Sequence, residues 1–130
     1  MLEVFVDAAT AGDPKVSAAG IFIKGEGHLL KKSRYLGEMD NHTAEFAALV
    51  IGLEMAKELT SGMVSIKSDS QVTVDAFERE FTKNAKFKPL LAQALDLAAH
   101  FDYCFIKWIP DSQNRAADDL ARTELRSHRR

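Results

Sequence analysis

Apolar and polar residues follow strand-like patterns through the first 35 positions and change to three-and-four spacing at Thr43. Val4-Phe5-Val6 reads as a short buried strand, which the turn cluster Ala11-Gly12-Asp13-Pro14 separates from the next extended run. Val16 to Lys24 and His28 to Tyr35 form two further strand patterns, with Gly25-Glu26-Gly27 supplying a hairpin turn between them. From Thr43 to Leu59, Phe46, Leu49, Val50 and Leu53 recur as one face of an amphipathic helix, and Gly62 follows as a stop signal. Met63 to Lys67 predicts a strand, Gln71 to Glu80 and Lys88 to Phe101 predict helices, and Tyr103 to Ile109 predicts a last strand closed by Pro110. Asp111 or Ser112 then offers a cap for a final helix reaching about Arg126. The order β-β-β-α-β-α-α-β-α predicts a mixed α/β sheet, antiparallel at its N-terminal side and parallel where helices intervene.

Composition narrows the class without naming it. At 130 residues and 46% hydrophobic, the chain fits a single domain spanning 1–130, with a frayed tail at about 127–130. The net charge of −2 supplies no global attraction to nucleic acid, so any polyanion contact must come from a local basic surface. No run approaches the roughly 20 apolar residues of a membrane span, which predicts a soluble, cytoplasmic protein with no membrane partner. The lone Cys104, inside Tyr103-Cys104-Phe105-Ile106, cannot form an intrachain disulfide and reads as a small buried hydrophobe.

The chemistry lies in four scattered carboxylates. Asp7 and Asp69 each follow a predicted strand, at the edge where open α/β sheets place their ligands. Glu45 falls on the helical arc of Leu49, Gly52 and Ala56, whereas Glu54 and Glu58 fall on the opposite, solvated side. A carboxylate on a packed arc is costly unless it is paired or binds a cation. Asp118 shares an arc with Asn114, Ala121 and Leu125, while Asp119 is spaced to pair with Arg115 and Arg122 at the surface.

Taken together, Asp7-Ala8-Ala9-Thr10-Ala11-Gly12-Asp13-Pro14, Asn41-His42-Thr43-Ala44-Glu45, Ser68-Asp69-Ser70-Gln71 and Asn114-Arg115-Ala116-Ala117-Asp118-Asp119-Leu120-Ala121-Arg122 resemble, in order, the four motifs of type I ribonuclease H. The resemblance implies a ribonuclease H-like fold with a five-stranded mixed sheet in the order 3-2-1-4-5. It implies hydrolysis of the RNA strand of an RNA/DNA hybrid by a two-metal mechanism, with Mg²⁺ or Mn²⁺ held by Asp7, Glu45, Asp69 and Asp118. It also implies substrate contacts near Gly12, Asp13, Asn41, His42, Gln71 and Asn114, where a 2′-hydroxyl distinguishes RNA from DNA. No obligate protein partner is implied, and the chain is compatible with a monomer.

Two departures keep other readings open. The loop Ile109-Pro110-Asp111-Ser112-Gln113 lacks the histidine that many members place there, and it resembles a short-loop subgroup; His100 and His128 lie outside the matching position and read as surface residues. The basic protrusion is reduced to Lys83, Lys86 and Lys88 beside Phe87, with Arg122, Arg126, Arg129 and Arg130 as further candidates for phosphate contact. A nucleic-acid-binding relative with weak or no hydrolysis, or a nuclease for another RNA substrate, remains an alternative. The absence of an Asp-x-Glu pair at Asp7-Ala8-Ala9 argues against an end-directed nuclease.

Overall fold

The computed structural model describes residues 1–129 and arranges five strands in the order β3-β2-β1-β4-β5. These are β1 (Leu2–Ala11), β2 (Val16–Gly25), β3 (His28–Glu38), β4 (Met63–Ser68) and β5 (Tyr103–Trp108). The helices are α1 (Asn41–Lys57), α2 (Gln71–Arg79), α3 (Lys88–Ala98) and α4 (Arg115–His128), with a single 3-10 turn at Asp111–Gln113 before α4. β1, β2 and β3 pair antiparallel, while β1–β4 and β4–β5 pair parallel, the mixture that the order of elements predicts. Among the described residues, no helix is long and apolar enough to cross a membrane.

β1 is longer than the Val4–Val6 pattern suggests, because its ladder with β2 continues from Glu3↔Lys24 to Ala11↔Val16. The small residues Ala8, Ala9 and Ala11 extend the strand although they carry little hydrophobic signal. The parallel ladder with β4 stops earlier, at Phe5↔Lys67, so Asp7 and Asp69 each stand two residues past it. Asp7 is thus inside a strand in one pairing and at the sheet's carboxyl edge in the other.

The core lies between the sheet and α1. Leu2, Val4 and Val6 of β1, Ile21 and Ile23 of β2, and Val64 and Ile66 of β4 meet Phe46, Leu49 and Leu53 of α1, all fully or almost fully buried. A methyl group on Gly52 would lie only 2.7 Å from a Val6 methyl, so the missing side chain lets α1 approach β1 closely. α3 packs on the far side of α1, where Phe87 stacks on Phe46 at 4.6 Å. Phe87 is therefore a core aromatic, and the exposed Lys83, Lys86 and Lys88 surround a buried anchor.

α4 covers the other face, over β1, β2 and β3. Its last turn docks through His128, which stacks on Tyr35 at 4.1 Å and hydrogen-bonds Glu124, itself bonded to Ser33 of β3. These contacts carry the helix past the expected Arg126: Ser127 and His128 are helical and Arg129 caps the end, while Arg130 lies outside the described residues. Other boundaries also move, by two or three residues at the ends of α1, α3 and β3. α3 stops at Ala98, short of the expected Phe101, and β5 stops at Trp108 rather than Ile109.

Candidate active site

Asp7 on β1, Glu45 on the first turns of α1 and Asp69 just after β4 meet at the carboxyl edge of the sheet, with one carboxylate oxygen from each lying within 4.8 Å of the others. The local sequence explains each placement. Asp40 caps α1 by accepting hydrogen bonds from the Thr43 amide and hydroxyl, which holds its own carboxyl below the usual range and sets the helix start one turn before Glu45. Asn41 is accordingly the first residue of the helix rather than its cap. Ser70 caps α2 in the same manner and ends the Asp69 loop.

Burial makes this grouping expensive without a cation. Asp7 is 6% exposed and Glu45 5% exposed. Burial first, and then the Asp69 charge, push the Asp7 carboxyl up to about 8, although the Ala8 amide donates to it at 2.8 Å and opposes the shift. Glu45 is raised well above the carboxylate range by burial and by the charges of Asp7 and Asp69. Asp69 is raised less, because the Asn114 amide opposes its burial. One Glu45 oxygen, Oε1, is buried without any hydrogen-bond partner. Three hard oxygen donors and one orphaned acceptor fit a hard divalent cation, and no histidine or sulfur is present to favour a softer one.

The fourth acid stands differently. Asp118 lines the same cavity as Asp7, Glu45 and Asp69, but Arg122 grips both of its oxygens at 2.5 to 3.1 Å. The i,i+4 spacing gives Arg122 to Asp118, not to Asp119 as expected from the sequence.

Asn114, expected among the substrate contacts, is only 1% exposed. Its amide donates to the Val6 carbonyl at 2.9 Å and to Asp69 Oδ2 at 3.3 Å, tying β1 and the Asp69 loop to the start of α4. Asn114 is a positioning residue beneath the carboxylates. Asn114→Ala should strand the buried Val6 carbonyl, costing about 2 kcal/mol of stability, and weaken divalent-cation affinity by about 10- to 100-fold. Denaturant unfolding and cation-titration calorimetry on the same variant measure both; unchanged cation affinity would count against the positioning role.

Of the other expected contact residues, Asn41 lines the carboxylate cavity, and Asn41, His42 and Gln71 line a cavity adjoining it. Asn41 accepts a hydrogen bond from Thr10, and Gln71 donates to Asp75. Gly12 and Asp13 line neither cavity; they are exposed in the β1–β2 turn, where Gly12 is close to the Arg129 side chain. Sequence reasoning also missed Asp111, assigned to helix capping. It lines the carboxylate cavity, and its charge contributes to raising Asp69. A larger cavity between α2, α3 and β5 brings Phe77, Leu95, Cys104 and Ile106 together with Glu78 and Glu80, and burial pushes the Cys104 thiol up to about 11, away from nucleophilic reactivity.

Residues 5–124 match the family described as reverse transcriptase-like. Over 96% of its length the chain is 40% identical to EbsB of Enterococcus faecalis, a protein named as a candidate hydrolase, and covers 94% of it. It is 26% identical to the ribonuclease HI of Halobacterium salinarum over 95% of its own length and 64% of that protein's. The crystal structure of that organism's ribonuclease H1 superposes with a TM-score of 0.89, covering 97% of this chain and 98% of the other at 26% identity. The structure of LC11-RNase H1 in complex with an RNA/DNA hybrid shares the fold at a TM-score of 0.84 and 24% identity, over 95% of each chain.

Proposed function

The chain belongs to the reverse transcriptase-like family as a ribonuclease H-like domain, and on that premise we propose that it hydrolyses the RNA strand of RNA/DNA hybrids with divalent cations. The observation that carries this reading is the convergence of Asp7, Glu45 and Asp69 around a buried, unpartnered oxygen. These three would hold the cation, with Asp118 as the fourth carboxylate. Bound there, hard divalent ions supply Lewis acidity to a phosphate oxygen and lower the pKa of the attacking water; two Mg²⁺ or Mn²⁺ ions per site with substrate are the form proposed.

The chain's own residues prepare that chemistry. The Ala8 amide and Asn114 fix the rotamers of Asp7 and Asp69, so their oxygens need not reorganise when a phosphate arrives. Asn41, His42 and Gln71 line the adjoining cavity and are the groups proposed to read the hybrid's minor groove, including the 2′-hydroxyl. Arg122 holds Asp118 as an ion pair at the rim, a partner that Asp118 would have to exchange in order to help hold a cation. Among the described residues no histidine lines the carboxylate cavity, and from the loop before α4 it is Asp111 that does. General acid–base help of about 10²- to 10⁴-fold is therefore missing, which favours a slow enzyme over an inactive one. A single domain in the cytoplasm, acting without an obligate protein partner, completes the proposal.

Substrate class is tested by offering the protein a labelled hybrid, duplex RNA and single-stranded RNA with Mg²⁺ or Mn²⁺. Internal cuts confined to the RNA strand of the hybrid are expected. Equal cutting of single-stranded RNA would assign the same carboxylates to a broader nuclease.

The raised carboxyls also set a pH signature. Asp7 is protonated up to about pH 8 when folded but ionises near 3.8 when unfolded, so the native state binds the extra proton between these values. Stability of the cation-free protein is therefore full below about pH 4 as far as this group is concerned and is lost as pH rises toward 8; Glu45 and Asp69 act with the same sign. A bound cation reverses the loss by replacing the proton. Thermal scans in EDTA should show Tm falling from pH 5 to pH 8, with Mn²⁺ raising Tm more at pH 8 than at pH 5. An increase in Tm that is independent of pH would separate cation binding from these carboxyls.

A further inference from the structure

The sheet face that carries α4 is only partly covered. Gly20, Asp7 and Ser33 lie under the helix, but the next cross-strand row, Lys31–Phe22–Phe5–Lys67–Lys107, runs across all five strands beyond it. The following row is Leu29–Lys24–Glu3–Ser65–Phe105, and Tyr103 extends the same face of β5. Opposed residues in neighbouring strands share a face, so four lysines and four aromatic rings stand together on an open sheet surface.

Their arrangement is ordered. Lys24 and Lys67 each stand 5.5 Å from the centre of the Phe5 ring, which is 5.8 Å from Phe22. Tyr103 and Phe105 hold parallel rings, 6.1 Å apart and tilted by only 2°, and are 60% and 49% exposed. Glu3 is the single acid in the two rows, and Lys67 already pairs with it at 2.8 Å. In a chain with 19 acidic and 17 basic residues, this is a local reversal of charge.

We propose that this face binds single-stranded nucleic acid, with bases stacking on Tyr103 and Phe105 and phosphates meeting Lys24, Lys31 and Lys107. Five strands span about 19 Å, enough for a short run of nucleotides. A polyanion answers the lysines, and a planar apolar group answers the parallel rings; a single strand carries both at every residue. A duplex hides its base faces in the stack, an acidic peptide leaves the parallel rings unmatched, and a second copy of this chain would bring lysines against lysines. The proposal goes beyond hybrid hydrolysis and needs no cation, because the platform is distinct from the carboxylates.

The test is anisotropy of labelled oligo-U and oligo-dT of about 12 nucleotides, with the full chain in EDTA at low and physiological salt. Binding of either strand that weakens with salt is expected, and the tighter of the two identifies RNA or DNA as the source. Phe105→Ala and Tyr103→Ala should each weaken binding by about 5-fold or more, while Lys107→Gln should flatten the salt dependence. Photocrosslinks from bromouridine to the Tyr103–Lys107 segment of the unaltered protein would support the proposal independently of variant folding. It is overturned by no binding at low salt, by unchanged affinity in both aromatic variants, by crosslinks confined to the Asn41–His42–Gln71 cavity, or by poly-glutamate competing as well as the oligonucleotide.

Discussion

Asp7→Asn should abolish hybrid cleavage and at the same time make the cation-free protein more stable at pH 8. Both halves follow from the same three oxygens. The amide keeps the shape of the side chain and can still accept from the Ala8 amide, so no packing is lost. What disappears is a charge buried beside Glu45 and Asp69, whose mutual repulsion and desolvation push all three carboxyls upward. Relief of that repulsion should raise stability by about 1 kcal/mol or more in EDTA. Cation chemistry contributes several kcal/mol to the transition state, so cleavage should fall by about 10³-fold or further. The two readouts, melting in EDTA and turnover with Mn²⁺, are expected to move in opposite directions. A variant that loses activity and stability together would identify Asp7 as a structural residue.

Gly20→Ala should give the largest loss of stability among single methyl additions. A Cβ at this position would lie 2.1 Å from the Ala117 carbonyl oxygen and 2.7 Å from the Ala121 nitrogen, both backbone atoms of α4. No rotamer change can relieve such a clash, so the helix must move off the sheet as a unit. Ala117, Ala121 and Leu125 are buried along that contact, and Asn114 and Asp118 ride on the same segment. Overpacking of this kind costs about 3 kcal/mol when the neighbour is rigid, equivalent to roughly 10 °C in Tm for a domain of this size. Displacement should also loosen Asn114 from Asp69, so cation affinity falls with stability. A variant with wild-type Tm would show that α4 is held less closely than its contacts with β2 require.

The part of the site legible in the sequence is the part governed by periodicity. Glu45 is readable because Leu49, Gly52 and Ala56 define its arc, and that arc is buried. Asp118 is readable against Ala121 and Leu125 for the same reason. The mixture of antiparallel and parallel pairing follows from where helices intervene between strands, while the 3-2-1-4-5 order is what the family resemblance implies, and the sheet has it. Features set by side-chain choice in three dimensions are less accessible. Arg122 had partners at both i−3 and i−4, and only the packed helix selects Asp118. Asn114 carries a motif position that suggested substrate contact, yet its depth beneath the carboxylates depends on α4 docking over β1. Asp111 looked like a helix cap because a 3-10 turn before α4 leaves no distinct sequence signal. Residues Ala8 to Ala11 extend β1 through backbone pairing with β2, which hydrophobic alternation does not register.

One comparison bears on the central claim, that Asp7, Glu45 and Asp69 form a cation site for cutting RNA in a hybrid. An RNA-labelled hybrid is incubated with Mn²⁺ and either the unaltered protein or Asp69→Asn, each with and without EDTA, and the fragments are mapped. Internal RNA cuts by the unaltered protein alone, lost in EDTA and in Asp69→Asn, are the predicted result; cutting by Asp69→Asn at the unaltered rate, or cutting that persists in EDTA, would contradict it.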